Sequence, residues 1–273
     1  MSVLDVSNPN LGVAVREHSQ AHSIIRLPHL ESLRILPKSG MSDMFTALVA
    51  CEELSRSSLK RGEARKIFGD GTSGGAPMYS SVGVQASRCG GILERSPRYA
   101  SLQDHHWKTI VNMTRRAESA LESFADTNVL RQLSAAKELV DFKTLLSPNN
   151  SQHCVKYFGA LAFGRNVFLR CHTDEDFTLS VTQIYLKGRD SYSLTDEPVA
   201  FFCFPTREVA IPMRPGDFLI FDATLPHSIS SRCHSADNIM CVSFYLKSRV
   251  VGMNEDNSIP LSKDQYELSS FKP

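Results

Sequence analysis

Two fragments in the second half of the chain contain side chains that together can hold a metal ion. In the first, Phe168-Leu-Arg-Cys-His-Thr-Asp174, a His and an Asp follow an apolar run two positions apart. In the second, His227 follows a Pro-Gly-Asp turn sequence and a short hydrophobic run. Two imidazoles and one carboxylate are the ligand set that holds non-haem Fe(II) with coordination positions left open for oxygen chemistry. We therefore predict His172, Asp174 and His227 as metal ligands and as the catalytic residues of an enzyme.

The periodicity of a strand predicts how these ligands converge. Alternate side chains of a strand point to one face, so Arg170, His172 and Asp174 are expected to share a face. Arg214-Pro-Gly-Asp217 has Pro and Gly at the two central positions of a type II turn. A single His at a strand edge is more often bonded to the backbone than to a metal. The order of the two fragments along the chain, with the turn between them, is what favours a metal site.

The surrounding pattern predicts short strands in the second half of the chain and helices before it. From Val155 onward, short apolar runs alternate with turn residues, which is typical of a sandwich, a jelly roll or a barrel. The expected strands cover 155–163, 166–173, 178–187, 199–204, 207–212, 217–222, 226–231 and 238–248. Apolar residues at helical spacing predict helices over 42–67, 103–125 and 127–144.

The order of these motifs resembles the Fe(II)/2-oxoglutarate-dependent dioxygenase superfamily, in its prolyl-hydroxylase-like or methylcytosine/thymine-oxygenase-like members. The similar parts are His-Thr-Asp, the run Val181–Leu186, Pro-Gly-Asp-Phe-Leu-Ile-Phe and Leu-Pro-His-Ser-Ile. The resemblance implies an α+β fold whose C-terminal half is a double-stranded β-helix (jelly roll) buttressed by N-terminal helices. Residues 1–150 would be a helical or irregular support region, 151–252 the catalytic core and 253–273 a C-terminal extension, all in one compact unit.

The resemblance also implies the cofactors. Fe(II) would be held by His172, Asp174 and His227, with 2-oxoglutarate as cosubstrate and ascorbate as a further candidate reductant. In this superfamily, O2 and 2-oxoglutarate oxidise a substrate C–H bond and release succinate. The expected substrate is a protein side chain or a small metabolite. The alternative is a nucleobase, 5-methylcytosine or thymine, in nucleic acid, and a second alternative is a cupin-like binding module without turnover.

One expected feature of the superfamily is missing from the sequence. A basic side chain on the strand after the second His pairs with the distal carboxylate of 2-oxoglutarate, and one common version has an Arg two residues before a Ser. Asn238 and Cys241, the latter two residues before Ser243, occupy the corresponding positions, and neither can form the charge-assisted pair that a carboxylate favours. The candidate cosubstrate contacts are therefore Arg232, then Arg170, Lys187 and Lys247 as cations, and Tyr185, Gln183, Asn238 and Ser243 as neutral groups.

The composition is that of an ordinary globular protein. The chain has 273 residues, of which 42% are hydrophobic and 22% charged, with 30 basic against 29 acidic side chains. No global charge therefore favours nucleic acid or a membrane. The window Arg88–Arg116 contains six basic residues against Glu94 and Asp104, and it is a candidate nucleic-acid surface, although a solvated basic surface is the commoner reading.

The cysteines and the N-terminus predict the compartment. Seven cysteines form no C-x-x-C pair, which favours reduced thiols over a disulfide framework. The N-terminus shows no signal-peptide pattern, and no apolar run is long enough for a membrane span. We expect a soluble cytoplasmic or nuclear protein.

Overall fold

The computed structural model describes residues 2–3, 13–17, 20–27, 41–56, 67–68, 79–86, 93–95, 102–125, 127–138, 155–165, 168–189, 197–230 and 239–248. Its helices are α1 (Met41–Arg56), α2 (Asp104–Phe124) and α3 (Thr127–Glu138). The strands before residue 150 are β1 (Ser2–Val3), β2 (Val13–Glu17), β3 (Gln20–Leu27), β4 (Ile67–Phe68), β5 (Tyr79–Ala86) and β6 (Leu93–Arg95). Those after it are β7 (Ala160–Arg165), β8 (Phe168–His172), β9 (Leu179–Leu186), β10 (Ala200–Phe204), β11 (Val209–Met213), β12 (Phe218–Asp222), β13 (His227–Ser230) and β14 (Ile239–Tyr245).

The strands form two sheets. A six-stranded sheet has the order β1-β11-β10-β13-β8-β4, and an eight-stranded sheet has the order β2-β3-β12-β9-β14-β7-β5-β6. From β7 to β14 the chain crosses repeatedly from one sheet to the other, and the pairings among these eight strands are antiparallel. The combination of helices with antiparallel sheets confirms the predicted α+β class.

Two hydrophobic cores lie on opposite faces of the eight-stranded sheet. The first core packs α1 and α2 against outward-facing side chains of the sheet, such as Val181 on β9 and Phe244 on β14. The second core lies between the two sheets and includes Ile184 on β9 and Phe202 on β10. Because strand side chains alternate, neighbouring residues of β9 and β14 contribute to different cores.

The predicted strands of the second half all occur, with shifts at their ends. Of the predicted helices 42–67 and 127–144, the structure describes α1 as far as Arg56 and α3 as far as Glu138, and residues 57–66 and 139–144 lie outside the described residues. The N-terminal region adds strands to both sheets, so it is more than the helical or irregular support expected; β3 pairs with β12, and β5 pairs with β7. In β5 the apolar residues Val82 and Val84 flank Gly83, and the strand pairs antiparallel with β7. Gly83 has φ +113, and a Cβ there would lie 2.5 Å from the Gly159 carbonyl oxygen.

The described residues also bear on the predictions about membrane spans and disulfides. None of the described helices is long and apolar enough to cross a membrane. The cysteines in the described part of the chain, Cys51, Cys171, Cys203 and Cys241, form no disulfide.

A buried carboxylate ties α2 to the segment that leads into β7. Glu118 is 3% exposed, and its Oε1 accepts hydrogen bonds from the backbone N–H groups of Tyr157 at 2.7 Å and Phe158 at 3.2 Å. Burial raises the pKa of the Glu118 carboxyl, and the backbone N–H groups and Lys137 act in the opposite direction. The Glu118 carboxylate, whose charged form burial disfavours, therefore fixes the position of α2 relative to the segment that leads into β7.

We predict that Glu118→Ala lowers the free energy of unfolding by about 2–4 kcal/mol, since two buried N–H groups lose their acceptor. Glu118→Gln keeps the acceptor oxygen and is expected to be at least as stable as the wild type at neutral pH. Because the folded pKa is raised, the wild type loses stability as the pH rises from the ordinary Glu value through the raised one, and the Gln variant does not. Urea unfolding across that range measures both effects, and equal stability of the Ala and Gln variants would contradict them.

Candidate metal centre

The three predicted ligands come together at the edge of the space between the sheets. His172 is the last residue of β8, His227 is the first of β13, and the two lie directly opposite each other in the antiparallel pair. The Nε2 atoms of His172 and His227 are each 3.6 Å from Oδ2 of Asp174. One ligand atom from each residue lies within 4.8 Å of the others. The predicted set of ligands therefore forms a single cluster.

Turns of the backbone place the ligands from distant parts of the chain. The predicted turn at 214–217 is present: Gly216 has φ +82, and the Asp217 N–H bonds to the Arg214 carbonyl oxygen at 3.1 Å. This turn starts β12, which leads into a second turn where the Leu225 N–H bonds to the Asp222 carbonyl oxygen.

The second turn is also bonded to the segment that contains Asp174. The Asp174 N–H donates to the Ala223 carbonyl oxygen at 2.9 Å, so the Asp174 backbone is tied to the turn that precedes His227.

The imidazole of His227 is held in one orientation. Its Nδ1 lies 2.8 Å from the Leu225 carbonyl oxygen, and the tautomer with an Nδ1–H bonded there would leave Nε2 available to a metal ion. The ring stacks on Phe202 at an interplanar angle of 9° and meets Phe221 edge-on. Because His227 is only 2% exposed, these contacts form an apolar wall that fixes the ring and excludes water from one side of the cluster.

The carboxylate of Asp174 is kept ionised. Burial alone would raise its pKa, but the imidazoles of His172 and His227 and the ammonium of Lys247 outweigh burial and hold the pKa well below its usual range. An anionic oxygen between two imidazole nitrogens is a mixed N/O donor set without thiolates. That set fits a divalent transition metal such as Fe(II).

A β-bulge interrupts the regular alternation of β8. His227 pairs with His172, while Ile229 pairs with Leu169, so β8 has one extra residue between these pairs. Leu169 packs against the core between the sheets, and Cys171 is exposed. The Arg170 side chain lies outside the described part of the structure, as do Arg232 and Asn238.

Two of the neutral cosubstrate candidates face away from the cluster. Tyr185 belongs to the core under the helices and donates a hydrogen bond to Oε1 of Gln183. The Gln183 Nε2 in turn donates to the Gly216 carbonyl oxygen at 3.0 Å. These side chains are on the helix side of β9, and they hold the turn at 214–217 instead of lining the space between the sheets. Alternation along a strand places Tyr185 and Gln183 on one face but does not indicate which face is the interior one.

Ser243 faces the other way. It lies on β14 two residues from Cys241, which belongs to the core between the sheets, and its hydroxyl is 2.7 Å from that of Thr182 on β9. This polar pair lies on the interior side of the eight-stranded sheet. Lys187, a further candidate cation, is exposed.

Lys247 and Asp176 are more closely connected with the cluster than the sequence indicated. The Lys247 Nζ is 2.6 Å from Asp176 Oδ1 and 4.0 Å from Asp174 Oδ1. Asp176 is 5% exposed and accepts a hydrogen bond from the Ser180 hydroxyl. The sequence placed Lys247 last among the cation candidates, because its position at a strand end suggested a solvated side chain.

The basic window Arg88–Arg116 does not line the cluster in its described part. Residues 104–116 are in α2, which packs on the face of the eight-stranded sheet opposite to the core that contains Phe202 and Phe221. Lys108 and Arg115 are exposed there. The part of the window that lies in α2 and the metal cluster are thus on different sides of this sheet, and residues 88–92 and 96–101 lie outside the described residues.

Comparison with known proteins identifies a fold and no close relative. No protein-family model matches the chain, and no curated protein matches it. The structure of NgTET1 in complex with 5mC DNA is similar, with a TM-score of 0.57 and 11% sequence identity, over 93% of this chain and 84% of that one. The described chain therefore has the fold of NgTET1. At this sequence identity the likeness is one of fold.

Two further solved structures are similar at TM-scores below 0.5. An oxidoreductase of the 2OG-Fe(II) oxygenase family from Burkholderia pseudomallei has a TM-score of 0.41 and 15% identity, covering 85% of this chain and 88% of that one. A prolyl-4-hydroxylase from Pseudomonas putida has a TM-score of 0.37 and 13% identity, covering 83% and 93%.

We predict that His172→Ala, Asp174→Ala and His227→Ala each lower the affinity for Fe(II) at least about a hundredfold, since each removes one of three ligands. The measurement is the iron content per chain after anaerobic dialysis. His105→Ala, which removes an exposed imidazole on α2, is the matched control and should retain the iron. Stoichiometric iron in both His172→Ala and Asp174→Ala would exclude the cluster as the metal site.

Proposed function

We propose that this protein is a mononuclear non-haem Fe(II) oxygenase that uses O2 and 2-oxoglutarate to hydroxylate a substrate C–H bond. The observation that supports the proposal most is the convergence of His172, Asp174 and His227 in a chain that has the fold of NgTET1. The strand order supports the finer classification as well. The orders β11-β10-β13-β8 and β12-β9-β14-β7, with crossings between sheets at nearly every step, agree with a double-stranded β-helix.

The side chains of the cluster have distinct roles in this proposal. His172, Asp174 and His227 would hold the iron and leave coordination positions open for 2-oxoglutarate and O2. Iron held there would supply the oxidation of a substrate C–H bond by O2, with 2-oxoglutarate oxidised to succinate and CO2. Leu225 orients the His227 ring, and Phe202 and Phe221 exclude water from its sides.

The place of the cosubstrate rests on the residues that face the interior. Ser243 and Thr182 are a polar pair on the interior side and remain candidates for neutral hydrogen bonds. For the distal carboxylate we keep Arg232, because an arginine forms the charge-assisted pair that this group favours.

The substrate that we propose is a protein side chain or a small metabolite. A nucleobase is the second candidate, and the observation that favours it is the likeness to NgTET1, whose structure was solved in complex with 5mC DNA. A nucleobase in a duplex would have to be extruded from the stack to reach the cluster.

We expect the wild type, mixed anaerobically with Fe(II) and 2-oxoglutarate, to develop the weak visible charge-transfer band of the ternary complex. His172→Ala should show no band, because it lacks a ligand. After O2 is admitted, succinate should form in step with product for one member of a panel containing a proline-rich peptide, small metabolites and a 5-methylcytosine duplex. A wild type with neither band nor succinate would be a binding module without turnover.

We predict that Arg232→Met raises the 2-oxoglutarate concentration for half of the band intensity by about 10–100-fold, the loss expected for a hydrogen bond to a charged group. Tyr185→Phe should change it less than about twofold, because Tyr185 faces the helices. The same anaerobic titration measures both variants. An equal increase of this concentration in the two variants would place the cosubstrate on the helix side and refute the proposed arrangement.

A further inference from the structure

The two oxygens of the Asp174 carboxylate have different neighbours. Oδ2 is 3.6 Å from Nε2 of both His172 and His227. Oδ1 is 4.0 Å from Nζ of Lys247, a residue that follows β14. The carboxylate therefore presents one oxygen to the imidazoles while the other faces a cation. Since the Asp174 side chain is 37% exposed, packing alone does not fix this orientation.

The ammonium of Lys247 is itself held in place. It is 2.6 Å from Oδ1 of Asp176, and the other oxygen of Asp176 accepts a hydrogen bond from the Ser180 hydroxyl at 2.8 Å. Lys247 also lies over the ring of Tyr245, 4.8 Å from its centroid. Asp176 and Ser180 are 5% and 1% exposed, so the anchor of the ammonium is buried.

Backbone hydrogen bonds join the same two segments. Asp176 and Lys247 form an antiparallel bridge. On either side of it, the Phe177 N–H donates to the Leu246 carbonyl oxygen at 2.6 Å, and the Ser248 N–H donates to the Glu175 carbonyl oxygen at 2.9 Å. The segment that follows β8 is thus fastened to the end of β14 by main-chain bonds as well as by the ion pair.

We propose that Lys247 and Asp176 are a positioning pair that keeps the Asp174 carboxylate turned so that Oδ2 faces both imidazoles. This inference rests on the metal site of the proposed function. A carboxylate turns about the bond that joins it to Cβ, and a fixed ammonium beside Oδ1 favours the orientations that leave Oδ2 toward the histidines. Because Asp176 is buried and hydrogen-bonded to Ser180, the Lys247 ammonium paired with it cannot follow the Asp174 carboxylate when that carboxylate rotates.

The positioning role can be tested because it and the positive charge of Lys247 affect the metal affinity in opposite directions. An ammonium near a cation site repels the metal, so removal of its charge alone would strengthen metal binding. Loss of its positioning effect would weaken binding, as loss of partners that orient metal ligands does in other metal sites. The two effects of one substitution therefore have opposite directions.

We expect Lys247→Met to raise the dissociation constant for Mn²⁺ at least about tenfold. The free Mn²⁺ signal in electron paramagnetic resonance measures it under conditions where no turnover occurs. Lys247→Arg keeps a cation of similar reach and should restore binding to within about threefold of the wild type. Lys108→Met removes one positive charge from the exposed face of α2 and should leave the constant unchanged.

Ser180→Ala provides a second variant that alters no charge. It removes the hydrogen bond that anchors Asp176 and should weaken Mn²⁺ binding about threefold, whether or not Lys247→Met folds. Unchanged or tighter binding in Lys247→Met, or in Ser180→Ala if the Lys variant does not fold, would overturn the positioning role while leaving the triad intact. A wild type that does not bind Mn²⁺ would instead refute the proposed metal site.

Discussion

The antiparallel pairing of β8 with β13 is the constraint on which the candidate site depends. It sets His172 directly opposite His227, although the two are far apart in the chain. Asp174 then completes the cluster because its backbone N–H is bonded to Ala223, in the turn that leads to His227. Main-chain hydrogen bonds thus determine where all three ligands are, and the side chains need only small adjustments to meet.

The two faces of the eight-stranded sheet have separate roles. Side chains on one face of β9 and β14 pack under α1 and α2, whereas those on the other face line the space that leads to the cluster. Gln183 and Tyr185 belong to the first face and stabilise the turn before β12. Thr182 and Ser243 belong to the second. Adjacent residues of one strand therefore pack on opposite sides of the sheet.

Irregular backbone concentrates next to the ligands. The bulge in β8 lies immediately before His172, and Thr178, between Asp176 and β9, has φ +59. A left-handed conformation is costly for a β-branched residue and requires support from its surroundings. The hydrogen bonds between Glu175–Phe177 and Leu246–Ser248 provide such support. They also hold the buried Asp176 against Lys247, so the shape of this segment and the setting of Asp174 are linked.

The sequence by itself predicted the three helices, the eight strands of the second half and the three residues of the candidate metal cluster. These follow from apolar periodicity, turn residues and donor chemistry, which are local properties of the chain. The tertiary structure decided β5, which the sequence did not predict and which pairs with β7. It also decided which face of β9 is interior and where β8 has its bulge. The sequence likewise did not indicate that Lys247 lies beside Asp176 and Asp174, because contacts between distant residues exist only once the sheets have formed.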